Sequence, residues 1–253
     1  MSLNTFGNSC IDAIYVVHAK TGYKLHENRI IELFKANNLE FQFVTDGDPS
    51  FFTHELLARY FTKGMLSGWS DGVISCTLNH LYAYEKMVEK NNRYALIFEN
   101  DPFFYGNFNE NIIKLADEIN NLGKGFLISL ENTSLRYPSY WAFRKGKHLY
   151  QAKQGRCAGA YIIDNEGAKR IINDVKINKC PSVIDWYHNF LIRDGILDMF
   201  WVHPPLVEQG SHNGKLCSTI SCKQKSLSRQ IKWTIQKVVR RFFKRFFKDK
   251  HIY

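Results

Sequence analysis

A chain of 253 residues, 45% hydrophobic and 23% charged, is long enough for one large α/β domain, and its composition excludes disorder of the whole. Its net charge of +10 sits at one end. Residues 221–253 hold 11 of the 34 Lys and Arg and, in Asp249, one of the 24 acids; residues 1–220 are neutral overall, which removes the charge argument for nucleic-acid binding by the globular part.

Six cysteines, at 10, 76, 157, 180, 217 and 222, include no Cys-x-x-Cys pair and read as reduced, mostly buried thiols. No apolar run approaches the roughly 18 residues of a membrane span, and no basic segment precedes an apolar run at the N-terminus, so neither a span nor a secretory signal is predicted.

Residues 11–17 form an apolar run rich in β-branched side chains, and Thr21-Gly22 separates it from Leu25, Ile30, Leu33 and Phe34 at helical spacing: a strand feeding a helix. Residues 41–44 form the next strand, closed by the turn Asp46-Gly47-Asp48-Pro49. Asp71 is placed to cap a long helix that carries Tyr82, Tyr84, Met87 and Val88 and ends at Asn91-Asn92, before a strand over 94–98. A helix from Ile112 to Ile119, a strand over 126–130 and a β-hairpin or flap over 138–155 follow. A strand over 160–163, helices over 166–175 and 183–192, and a strand over 199–202 complete the order. The alternation predicts an α/β fold, a mostly parallel twisted sheet flanked by helices, with residues 1–220 as one domain and 221–253 as a tail.

The strand over 94–98 delivers Glu99-Asn100-Asp101 at its carboxyl end, where open α/β sheets bind ligands. Glu99 and Asp101 are either oxygen ligands for a hard divalent cation that neutralises a departing diphosphate, or a solvated acidic turn. Asp185 opens a helix and is either a helix-terminal acid or a general base. Trp186 beside it offers a ring face to a sugar or packs in the core, and His80 is a core histidine or support for the ligand site.

The order and spacing of five segments, 72–101, 126–131, 158–168, 183–185 and 204–209, resemble glycosyltransferase family 25, the bacterial lipooligosaccharide galactosyltransferases and their collagen-modifying relatives. The resemblance implies a GT-A-like single domain and an inverting hexosyltransferase, moving galactose from UDP-galactose to a lipooligosaccharide or lipopolysaccharide at the cytoplasmic face of the inner membrane. It implies Asp185 as general base and His80 as support for the donor phosphate or metal; Asn79 and Asn100 are counted with the donor-binding residues, and Arg29 and Asp46 either contact the nucleotide or serve a helix face and a turn. Glu131, at a strand end on the same sheet edge, either binds acceptor or donor hydroxyls or is a solvated carboxylate; Trp186 would bind the acceptor, and Glu99, Asp101 and His212 a divalent metal, Mn²⁺ or Mg²⁺. Two positions depart from the pattern: Asn79 stands where the family usually has Ser, and Asn100 replaces the middle acid of Glu-Asp-Asp. The alternative reading is a catalytically impaired member that binds a membrane or partner.

In the tail, Leu227, Ile231, Ile235, Val238, Val239, Phe242, Phe243 and Phe246 recur at intervals of three and four, with Lys237, Arg240, Arg241, Lys244, Arg245 and Lys248 largely opposite. Residues 227–248 are therefore expected to form a basic amphipathic helix that binds an anionic membrane surface. A helix docked on the domain with its basic face solvated, and a nucleic-acid binder, are the alternatives.

Overall fold

The computed structural model describes residues 11–131, 133, 136–216 and 226–246, without the side chains of 212 and 244–246. In chain order the elements are β1 (Ala13–Val17), α1 (Lys24–Ala36), β2 (Gln42–Val44), a 3-10 turn (Pro49–Phe51), α2 (His54–Tyr60), α3 (Lys63–Gly68) and α4 (Asp71–Glu89). Then come β3 (Tyr94–Phe98), β4 (Pro102–Phe104), α5 (Phe108–Asn120), β5 (Phe126–Ser129), β6 (Leu149–Ala152), β7 (Ala160–Asp164) and α6 (Asn165–Asn178). The last are α7 (Ile184–Arg193), β8 (Asp198–Val202), β9 (Val207–Gln209), α8 (Gly210–Asn213) and α9 (Leu227–Phe246).

Seven strands form one sheet in the order β2-β1-β3-β7-β5-β8-β6. It is mixed, which corrects the expectation of a mostly parallel sheet: β7 runs antiparallel to both β3 and β5, and β6 antiparallel to β8. A helical crossover returns the chain to the edge it left and produces parallel neighbours. Between β5 and β7 the chain runs back through β6, which is antiparallel to β8 and so ends at the opposite edge, and residues 153–159 return it without a helix to the edge where β3 and β5 end, from which β7 starts. There the Glu99 N–H donates to Gly159 O (2.9 Å) and the Leu130 N–H to Ala160 O (3.0 Å). The expected hairpin over 138–155 is also corrected: β6 is its one strand among the described residues, and it pairs with β8.

Alternation along the strands sends side chains to two cores. Tyr15 and Val17 of β1 join Leu78, Leu81 and Tyr84 of α4 on one face, while Ile14 and Val16 join Ile30 and Phe34 of α1 and Ile112 of α5 on the other. Helix α4 is buried over much of its circumference. Ser70, not Asp71, is its N-cap residue; Asp71 occupies the first turn, where its charge suits the helix dipole. Helices α2 and α3 and the small antiparallel pair β4–β9 have no counterpart in the sequence reading.

Helix α9 covers residues 227–246 of the predicted 227–248, of which 247 and 248 lie outside the described residues, and it meets the domain through its polar side. Glu208 of β9, nearly buried, accepts from Trp233 Nε1 (2.5 Å), Lys237 Nζ (2.8 Å) and Asn213 Nδ2 (2.9 Å). The Tyr137 hydroxyl donates to Lys237 O, and Gln230 Nε2 to Gly214 O, both at 3.2 Å. Gly214 is required there: its φ is +82°, and a Cβ would stand 2.9 Å from Ser226 O. Burial works to raise the Glu208 pKa, but the bonds from Lys237, Trp233 and Asn213 hold it below its ordinary value. Glu208→Ala leaves the Trp233 and Lys237 donors without this acceptor. A charged hydrogen bond is worth about 1.5–3 kcal/mol, so trypsin should cut within α9 about tenfold faster in the variant. Unchanged cleavage would assign the docking to other contacts.

Candidate active site

Five of the seven strands, β1, β2, β3, β5 and β8, point the same way, and the polar residues just beyond β1, β3 and β5 gather along that edge. A cavity of about 390 Å³ opens beside it, walled by His18 after β1, Asp48 and Ser50 of the turn, Cys76 and Asn79 of α4, and Glu99 with Asn100 after β3. That size suits a large part of a nucleotide. A depression of about 530 Å³ at the opposite edge, between Arg93, Lys124 and Lys169, is larger but lies away from this polar cluster.

Asn100 donates from Nδ2 to His18 Nδ1 (3.0 Å), so His18 must present a bare Nδ1. Burial depresses the His18 pKa, in agreement with a neutral ring. An uncharged residue after Glu99 thus has a specific partner. Asn79 is spent on backbone: the Gly47 N–H donates to its Oδ1 (2.7 Å), and its Nδ2 reaches His18 O (3.5 Å). It braces the turn after β2 and still lines the cavity.

Glu99 accepts from Gln209 Nε2 at Oε2 (3.0 Å); its Oε1 lies 3.7 Å from His80 Nε2, beyond hydrogen-bond reach. Burial, then the nearby Asp185 charge, raise its pKa to about 7. His80 is wholly buried, with its pKa pushed down to about 3 by desolvation, so the close pair is not a salt bridge. His80 Nδ1 bonds the Tyr161 hydroxyl (2.8 Å), and Nε2 has no hydrogen-bond partner among the described residues. Cys76, one helical turn before His80, completes a group with His80 and Glu99 whose donor atoms lie within 4.8 Å of one another. The i, i+4 spacing that puts Cys76 and His80 on one helix face is legible in the sequence alone.

Asp101 is nearly buried; Oδ2 accepts from the Ser211 N–H (2.8 Å), while Oδ1 is buried without a hydrogen bond among the described residues. Burial and then Glu99 raise its pKa. An unmet carboxylate oxygen on Asp101 and the unbonded Oε1 of Glu99 fit the oxygen ligands a hard divalent cation takes. Glu131 has both oxygens engaged, by the Gly159 N–H (2.9 Å) and the Thr133 hydroxyl (3.0 Å), and burial followed by Glu99 raises its pKa to about 8. Asp185, in the first turn of α7, accepts from the N–H groups of Cys157 (3.1 Å) and Trp186 (2.9 Å), and burial raises its pKa too. Trp186 is 57% exposed beside it.

Of the expected residues, Asn79, Glu99 and Asn100 line the cavity; His80, Asp101, Glu131 and Asp185 belong to the buried cluster around Glu99, and Arg29 and Asp46 are engaged elsewhere. Arg29 donates to Pro102 O and lies over the Phe103 ring, and Asp46 pairs with Lys86 (3.0 Å) at the surface. His212 belongs to α8, but its side chain lies outside the described set. Sequence reasoning missed His18, Gln209 and the chain of rings His80, Tyr161, Tyr84 and His188, in which Tyr84 OH meets Tyr161 OH at 2.5 Å and His188 Nε2 at 2.7 Å.

Two measurements follow from this geometry. Replacing Asn100 by Asp puts a carboxylate against His18 Nδ1, so Asn100→Asp should raise the His18 pKa, read by NMR titration; no change would break the pairing. Glu99 and Glu131 bind protons more tightly folded than unfolded, so their contribution to stability is full below the ordinary 4.5 and is lost as pH rises through about 7 and about 8. Glu131→Gln should therefore flatten the decline of the melting temperature across that window, and a decline identical to wild type would refute the burial argument.

Residues 14–185 match glycosyltransferase family 25, described as an LPS biosynthesis protein. A Haemophilus influenzae protein described as a glycosyltransferase is 27% identical over 180 residues, covering 68% of this chain and 60% of the relative. An Aedes aegypti glycosyltransferase 25 family member is 24% identical over 168 residues, 63% of this chain and 28% of its own length. The chain thus spans 60% and 28% of these two relatives. A Bacillus anthracis structure described as a glucose-1-phosphate thymidylyltransferase with sucrose aligns over 93% of this chain and 77% of its own, at 9% identity and a TM-score of 0.38, too slight a likeness to bear on the fold or the function. With well over half of its length matched to one family, the chain belongs to glycosyltransferase family 25.

Proposed function

We propose that the chain transfers a hexose, galactose from UDP-galactose, onto a hydroxyl of a lipopolysaccharide or lipooligosaccharide acceptor, with inversion at the anomeric carbon. The supporting observation is that Glu99, Asp101 and Asp185, all with raised pKa values, are electrostatically linked through Glu99, which walls the 390 Å³ cavity at the carboxyl ends of β1 and β3. Family membership supports a nucleotide sugar as donor. A GT-A-like domain working at the cytoplasmic face of the inner membrane belongs to the same proposal.

Asp185 accepts the proton of the acceptor hydroxyl while that oxygen bonds to the anomeric carbon. The bond from this carbon to the diphosphate oxygen breaks on the opposite side, and the diphosphate leaves with the electron pair. Burial raises Asp185 above the ordinary carboxylate range, which brings the base nearer to a neutral working pH. Trp186 offers its exposed ring to the acceptor sugar. Asn79 and Asn100 line the donor cavity, and His80 stands behind Glu99. Arg29 and Asp46 are committed to Pro102 O and to Lys86, so no donor role is assigned to them. Glu99 and Asp101 would hold a divalent cation, Mn²⁺ or Mg²⁺, which when bound supplies positive charge to the departing diphosphate.

Asn100 has a partner of its own in this reading, since it donates to the bare Nδ1 of His18, whose pKa burial depresses. The test is turnover of UDP-galactose with a lipooligosaccharide acceptor. Asp185→Asn keeps the helix-terminal hydrogen-bond acceptor but removes the base, so turnover should fall by roughly 10²–10⁴ with donor affinity unchanged. An unchanged rate would strip Asp185 of the role, and absence of transfer from any UDP-hexose by wild type would sink the reading.

A further inference from the structure

Helix α9 is fastened to the domain by the side that a water-facing helix normally turns outward. Gln230, Trp233 and Lys237, which reach Gly214 and Glu208, fall within one sector of a wheel turning about 100° per residue. Ile231, Ile235 and Val238 fall on the opposite side and are 60%, 56% and 65% exposed; Leu227 and Phe242 extend the same stripe at 76% and 66%. The residues that would bury a docked amphipathic helix therefore point away from the protein. The helix is docked, and Lys232, Arg240 and Arg241 are exposed, but the contacts run through Gln230, Trp233 and Lys237 and leave the apolar stripe outward.

A continuous apolar stripe of this kind on a surface marks an interaction site. Its borders identify the occupant. Arg241 and Lys232, both exposed, lie at its two margins, Lys232 between the exposed Val239 and Phe243, and residues 221–253 carry all of the excess positive charge of the chain. No helix among the described residues is long and apolar enough to cross a membrane. An apolar centre with a cationic rim matches a bilayer interface, where acyl chains lie beneath anionic phosphates. A nucleic-acid groove would need the cations at the centre of the exposed side.

We infer that α9 lies in the plane of an anionic lipid bilayer, with Ile231, Ile235 and Val238 in the acyl boundary and Lys232 and Arg241 at the headgroup phosphates. The docked side then determines how the domain sits above the lipid. Trp233 and Lys237 share a small cavity with Glu131 and Gln209, and Gln209 holds Glu99, so the helix on the membrane abuts the carboxylate cluster. That a lipid-linked acceptor is thereby brought to the site rests on the transfer reading; the membrane seat does not.

Flotation of the full chain tests this, with vesicles of phosphatidylcholine alone and of phosphatidylcholine with phosphatidylglycerol, at low and high salt. Binding should favour the anionic vesicles and weaken at high salt without vanishing, since the Debye length contracts from about 10 Å at 0.1 M to about 3 Å at 1 M while the apolar contribution stays. The triple variant Ile231→Ser, Ile235→Ser, Val238→Ser should lose at least about tenfold in vesicle affinity, because each buried aliphatic side chain contributes to partitioning. Its circular dichroism and melting temperature should match wild type, since these side chains face solvent. Lys232→Ala with Arg241→Ala should reduce the preference for anionic over neutral vesicles. Equal vesicle binding by the triple variant and wild type would overturn the inference. So would a wild-type chain that ignores vesicles but forms a dimer, by light scattering, which the triple variant dissolves. None of these measurements uses a sugar donor, so their failure and that of the transfer reading are separate.

Discussion

Three elements meet at a chain of four rings inside the core, and the placement of the site depends on it. His80 and Tyr84 come from α4, Tyr161 from β7 and His188 from α7, joined by hydrogen bonds of 2.8, 2.5 and 2.7 Å. Both histidines are pushed down to about 3 by burial, so the chain is neutral, and two hydroxyl protons with one imidazole proton fill its three bonds. Run in one direction, these protons leave a bare Nε2 on His80 facing Glu99; run in the other, they leave an N–H there. Because breaking a buried polar network leaves unpaired groups in a medium of low dielectric, α4, β7 and α7 are held in one arrangement. Asp185, in the first turn of α7, thereby keeps its relation to Glu99 at the end of β3.

The carboxylates crowd as a consequence. Glu99, Asp101, Glu131 and Asp185 all have raised pKa values, for each mainly through burial, with Glu99 acting on Asp101 and Glu131, and Asp185 on Glu99. Such a cluster opposes folding at neutral and higher pH. Gln209, Ser211, Gly159, Thr133 and Cys157 offset this by donating to individual oxygens. The remaining unmet oxygens suit a cation, which would relieve the same repulsion.

Glu208 performs a related task at a distance from the chemistry. A nearly buried carboxylate that collects Trp233, Lys237 and Asn213 decides which side of α9 turns inward. The small cavity shared by Trp233, Lys237, Glu131 and Gln209 makes the tail continuous with the carboxylate edge.

Much of this was legible before any coordinates. Alternating and helical periodicities located β3 at 94–98 and placed α4, α5, α6, α7 and α9 within a few residues of their observed limits, because those patterns report burial by near neighbours in sequence. Glu99 and Asp101 at a strand end, Asp185 at a helix start, and a neutral domain with a basic tail needed only local reading. The antiparallel course of β7 was not legible, since nothing local encodes the direction in which a strand inserts between two others. Neither were the partners: His80 meets Tyr161 across 81 positions, Asn100 meets His18 across 82, and Tyr84 meets His188 across 104. The sequence by itself determined the long periodic elements and the charges they carry; the tertiary structure decided the short β4–β9 pair and which polar groups face one another, and so which side of α9 is inward and which carboxylates share a site, because pairing energies exist only once distant segments are packed together.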